Sequence, residues 1–170
     1  MVLRFALAAG LVVCVLAAPA GRAAAQSSQG DATQRAALIE RLVDVVNRQR
    51  ALNGVRPVTL EPRLSKAAQA HSDDMARRDY FHHKSPDGRD VADRVQSAGY
   101  PWRIVEENLS AGLSDPDSVV NSWMTSPEHR DNMLNPDVTD VGAGVTEVRP
   151  GTGHSRYSVY WTAVFAARAR

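Results

Sequence analysis

The rhythm of apolar residues changes once along this chain, and that change constrains the fold more than any other feature. Between Ala36 and Leu134 apolar side chains recur mostly at three- and four-residue steps; from Val141 onward they recur at every second residue. The first period belongs to helices buried on one face, the second to strands. Leu38, Ile39, Leu42, Val45 and Val46 mark an opening helix, with Gly54 as its stop. Glu61-Pro62 opens a second helix, whose inner stripe is Leu64, Ala67, Ala68, His71 and Met75. That Ala-rich stripe implies the close approach of another element. Residues 79–90 form a loop with Ser-Pro-Asp-Gly turn chemistry. A short helix with Val91 and Val95 inward then runs to Gly99. Residues 104–109 read as a short strand or extended segment. Asp115-Pro116 caps a helix carrying Val119, Val120 and Trp123 inward, and Ser126-Pro127-Glu128 starts another that Asn135-Pro136 stops. Val141, Ala143 and Val145, then Tyr157, Val159, Trp161, Ala163 and Phe165, predict an antiparallel hairpin. Helices first and strands last give an α+β domain.

The N-terminus is a different material. Arg4 precedes an apolar run from Phe5 to Ala18, shorter than the roughly 20 residues a membrane span needs. Ala23-Ala24-Ala25 fits the small-residue rule for signal-peptide cleavage. Residues 1–25 are therefore expected to be a signal peptide, with cleavage after Ala20 or an uncleaved anchor as alternatives. Residues 26–36 are expected to be a flexible lead-in. The single cysteine, Cys14, lies in the leader, so packing and not disulfides must hold the exported chain together. Net charge is +1 on the whole chain, falling to −1 when Arg4 and Arg22 leave. Neither value makes a nucleic-acid footprint or a polybasic membrane patch. A secreted or cell-envelope monomer with no lasting membrane span is the expectation.

Chemistry points to three remote residues. His83 sits in the loop, Glu107 in the extended segment, and His129 near a helix N-terminus. Two imidazoles and a carboxylate suit a divalent cation with open positions. Partial positive charge at a helix N-terminus also disfavours imidazolium at His129, and the neutral ring is the metal-binding form. No local motif joins the three, so their spacing alone does not make a site. His71, on the inner stripe, reads as a hydrogen-bonded core histidine. His82 points away from His83 if the loop is extended there, and His154 falls in the hairpin loop. Trp123 reads as core, and Asn47 as a packing residue bonded to a neighbouring loop. No Gly-x-Ser-x-Gly elbow or phosphate-binding glycine loop is present, and a cysteine nucleophile is excluded from the mature chain.

Several ordered motifs together resemble one family. They are Asn47-x-x-Arg50, Ala70-His71-Ser72, Phe81-His82-His83-Lys84-Ser85-Pro86-Asp87-Gly88, Glu107-Asn108-Leu109, Ser126-Pro127-x-His129-Arg130, and Tyr160-Trp161-Thr162 with Phe165. Across residues 37–168 the chain resembles the bacterial secreted members of the CAP superfamily (cysteine-rich secretory, antigen 5 and pathogenesis-related 1 proteins). The resemblance implies a three-layer α-β-α sandwich around an antiparallel sheet, with a large surface cleft. It also implies a site of two histidines and two glutamates able to hold a zinc-like divalent cation. Position by position, these fall on His83, Glu107 and His129; the second glutamate falls on Ser126, and the glycine usual before the first glutamate is Glu106. Three protein ligands plus water are what remains of that site. Three functions are compatible with the resemblance. One is an envelope module that binds a peptide, glycan or lipid-like ligand in the cleft. The second is a metal-assisted hydrolase with Glu107 as ligand or candidate general base. The third is a structural envelope protein with a vestigial cleft.

Overall fold

A computed structural model describes residues 20–148 and 155–169, with side chains from residue 29. The apolar leader run and His154 lie outside the described residues. The chain divides into two units, residues 1–33 and 34–170. In chain order the elements are α1 (Ala20–Leu52), β1 (Thr59–Leu60), α2 (Pro62–Arg78), α3 (Val91–Ser97), β2 (Trp102–Ala111), α4 (Pro116–Thr125), α5 (Pro127–Leu134), β3 (Asp140–Glu147) and β4 (Val159–Arg168). Residues 26–36, expected to be a flexible lead-in, lie within α1. Alanines at 23–25, 32, 36 and 37 are the strongest helix formers and outweigh the single Gly30.

The helix starts follow local chemistry. Glu61 caps α2 by accepting from the Arg63 backbone N–H, and Asp115 caps α4 by accepting from that of Ser118; each is followed by proline in the first turn. Asp90 and Asp93 form a reciprocal capping box on α3.

The sheet has four strands in the order β1-β3-β4-β2. β4 pairs antiparallel with β3 and β2, while β1 pairs parallel with β3. The parallel pair departs from the all-antiparallel expectation. It spans two residues, too short to carry a period, and arises because Thr59 and Leu60 run alongside Asp140 and Val141 on the way into α2.

Helices cover both faces, giving three layers. On one side Leu42 and Val46 of α1, Val120 and Trp123 of α4 and Met133 of α5 pack on Val141, Ala143, Trp161 and Phe165. On the other, Leu64, Ala67 and Ala68 of α2 and Val95 of α3 pack on Val164 and Ala166. β4 is consequently buried on both faces from Val159 to Ala167. The α2 side admits almost no side-chain thickness. A Cβ on Gly142 would lie 2.1 Å from the Leu64 carbonyl carbon, and one on Gly144 2.4 Å from Gln69 Cα. Beyond the end of β1, the Gln69 amide takes the place of a strand: it accepts from the Val145 N–H and donates to the Val145 C=O, both at 3.0 Å. Asn47 does the same for Val58, accepting from its N–H at 2.8 Å and donating to its C=O at 3.0 Å. The fully buried Arg50 donates to the carbonyls of Met133, Asn135 and Val138, tying the end of α1 to the end of α5.

Candidate functional site

Glu107 lies on β2, the edge strand, opposite Val164 of β4. Its side chain is 2% exposed, and both oxygens are committed. Oε2 accepts from an Arg94 terminal nitrogen at 2.6 Å, and Arg94 is itself 5% exposed. Oε1 accepts from His83 Nδ1 at 2.9 Å. A carboxylate held by a guanidinium only accepts, so Nδ1 carries the proton, and a neutral His83 keeps Nε2 unprotonated and free for a ligand. The His83 side chain is 54% exposed, which makes it the solvent-facing member of the trio.

Arg94 comes from the second turn of α3. Its other terminal nitrogen donates to the Arg89 carbonyl at 3.2 Å, and that carbonyl also accepts from the Ser85 N–H at 2.9 Å. The turn that closes the histidine loop therefore anchors the guanidinium. Gly88 in this turn has φ +91°, a backbone state open to glycine. A pocket of about 140 Å³ lies between α2, this turn and α3, with Arg94, His71 and Asp74 in its wall.

His71, the expected core histidine, is fully buried, with Nε2 3.1 Å from the His82 carbonyl and 4.0 Å from Glu107 Oε1. A carbonyl only accepts, so Nε2 carries the proton and His71 pins the backbone next to His83. Burial drives the His71 pKa down to about 4, against an opposing pull from Glu107, so the ring is neutral at pH 7. Tyr80 donates to Asp74 Oδ2 at 2.7 Å behind it, and Arg77 and Arg78 also pair with Asp74.

α5 runs beside the open edge of β2. Asn108 donates to the His129 carbonyl at 2.8 Å, and Asn132 donates to the Glu107 carbonyl at 3.3 Å. The first of these bonds fixes the backbone of half-buried His129 against β2. The His129 pKa is lowered, first by burial and then by the charge of His83, while Glu128 pulls the other way. Sequence reasoning expected the neutral form from the helix N-terminus, and burial is the first cause of the lowering.

The structure thus joins His83 to Glu107, and His129 lies close enough to feel the charge of His83. Among the described residues no group of three His, Cys, Asp or Glu side chains is arranged to hold a metal ion. The donor chemistry gives the reason. Each Glu107 oxygen already accepts a side-chain hydrogen bond, and a permanent cation sits 2.6 Å from one of them. The role of Glu107 as candidate general base also changes, because a buried, doubly bonded carboxylate orients an imidazole and does not meet solvent. Sequence reasoning missed Arg94, although a signal was present: with Val91, Val95 and Ala98 it completes the inner stripe of α3 at three- and four-residue steps. An arginine on such a stripe requires a buried partner. His82 is exposed, and its Nδ1 accepts from the Lys84 N–H at 3.0 Å. Glu106 lies away from the trio; one oxygen accepts from Asn135 at 2.8 Å, the other is buried without a partner, and burial raises its pKa.

This fold has counterparts. The uncharacterized protein YkwD of Bacillus subtilis (strain 168) is 37% identical over 108 residues, which is 64% of this chain and 42% of that protein. The uncharacterized membrane protein YlbC of the same organism is 28% identical over 106 residues, 62% of this chain and 31% of that one. This chain spans less than half the length of either. An extracellular protein containing an SCP domain from Bacillus anthracis str. Ames superposes with TM-score 0.69 at 26% identity, over 79% of this chain and 41% of its own. An outer surface protein from Borrelia burgdorferi superposes with TM-score 0.68 over 76% of this chain and 92% of its own; at 18% identity that likeness shows the fold alone. Residues 43–165, which hold every element from the end of α1 into β4, match the family described as cysteine-rich secretory proteins, and the chain belongs to this CAP family.

Proposed function

We propose that this chain is an extracellular or cell-envelope binding module whose working surface is the hollow around His83 and His129. The observation that carries the reading is the hydrogen bond from exposed His83 to buried Glu107. It fixes ring orientation and tautomer in advance, so Nε2 is a preorganised acceptor that loses little freedom on binding. Phe81, two residues away, is 41% exposed, and its ring meets that of Tyr157 edge-on at 5.8 Å between centroids. An acceptor beside an aromatic face suits a ligand with N–H or O–H donors on an apolar body, such as a peptide or an amino-sugar glycan. Description of the Bacillus anthracis protein as extracellular supports the location. Among the described residues no helix is long and apolar enough to cross a membrane.

The test is titration of the full chain with soluble envelope peptides and glycan fragments, read by NMR at the His83 ring. Binding should shift that signal and weaken by at least about tenfold in His83→Ala, with the urea midpoint unchanged. Ligand binding that survives both His83→Ala and His129→Ala would place the working surface elsewhere.

A further inference from the structure

We propose that Arg94 is the resident cation of this cleft. It commits Glu107 to orienting His83 and bars a divalent ion from the His83, Glu107 and His129 positions. The hollow is then a metal-free binding surface, and this last step rests on the function proposed above.

Four observations converge. Arg94 meets Glu107 at 2.6 Å, with both side chains nearly free of solvent, so neither water nor salt screens the guanidinium from an incoming cation. Arginine does not shed its proton in proteins. A lysine or histidine in its place would be able to leave as the neutral form and admit an ion; arginine cannot. Nor is it free to swing away, because its second terminal nitrogen is held by the Arg89 carbonyl at 3.2 Å. Finally, His83 Nδ1 bonds the other Glu107 oxygen at 2.9 Å. Arg94 is therefore the fixed positive group facing Glu107, and the pair closes the charge balance of the site. A dication would have to share a carboxylate that one cation already neutralises.

Isothermal titration of the full chain with zinc chloride at neutral pH tests this. The wild-type chain should show no stoichiometric site that depends on Glu107. Arg94→Met keeps the apolar stem and removes the charge. It should gain one ion per chain, about tenfold or more tighter than any wild-type uptake, and lose it again when combined with Glu107→Gln. Arg94→Lys, whose side chain can shed its proton, should take up zinc more tightly than the wild type and less tightly than Arg94→Met. Circular dichroism and urea unfolding confirm that each variant is folded. Equal zinc affinity in the wild type and in folded Arg94→Met overturns the proposal. If Arg94→Met does not fold, the wild-type arm decides: uptake of one zinc per chain that Glu107→Gln abolishes overturns it, and its absence upholds it. Ligand binding at His83 is measured separately, so either idea can fail while the other stands.

Discussion

The two helix–sheet interfaces of this domain are built from opposite materials. On the α1/α4/α5 side, Leu42, Val46, Val120, Trp123, Trp161 and Phe165 fill a thick aliphatic and aromatic layer. On the α2 side, Ala67, Ala68, Gly142 and Gly144 let backbone meet backbone, and the remaining space is polar. There Ser72 donates to Thr162 at 2.9 Å, and His71, Arg94 and Glu107 form a buried network. The thick side supplies most of the burial that stabilises the fold. The thin side gives side chains short, fixed reaches, and the candidate site stands there.

The contrast can be broken most severely from the thin side. Gly142→Ala should cost more than about 4 kcal/mol, because the new methyl meets the α2 backbone and not a flexible side-chain tip. Urea unfolding that shows a loss under about 1 kcal/mol would mean that α2 can lift away from the sheet. Trp123→Ala tests the thick side. Its ring is 1% exposed and its indole N–H donates to the Leu109 carbonyl at 2.9 Å, so a cost of about 3–5 kcal/mol is expected. A far smaller loss would mean that the layer collapses into the cavity.

The third prediction is graded by pH. Folded His71 titrates near 4 against an ordinary value of 6.5, so the unfolded chain takes up its proton first. Its contribution is flat above the unfolded pKa, falls as pH drops toward 4, and then levels. The total is about 3 kcal/mol at about 1.4 kcal/mol per pH unit. His129, lowered as well, adds with the same sign, whereas Glu106, raised by burial, takes up its proton first in the folded state and opposes it. Unfolding free energies at several pH values between 7 and 4 should be flatter in His71→Gln than in the wild type. Parallel curves would remove His71 as the source.

Much of this was legible from residue order. Pro62 and Pro116 with their capping acids, Asp115 above all, set helix starts through contacts spanning two or three residues. The burial of Trp123 followed from its place on an apolar stripe. β1 was not legible, because two residues carry no period and their partner lies about 80 residues away in sequence. The site was half legible. Its histidines and Glu107 were singled out as residue types with chemistry, but the pairing of Glu107 with Arg94 rather than with an ion was not, since sequence spacing does not say which charges share a cavity.

Sequence alone determined the longer elements, their order, the apolar faces and the family, because periodicity, capping and turn chemistry act over a few neighbouring residues. Tertiary structure decided what those faces enclose. Ion pairing, desolvation and tautomer depend on distances across the fold, and there a buried guanidinium at 2.6 Å made the Glu107 carboxylate an anchor for His83.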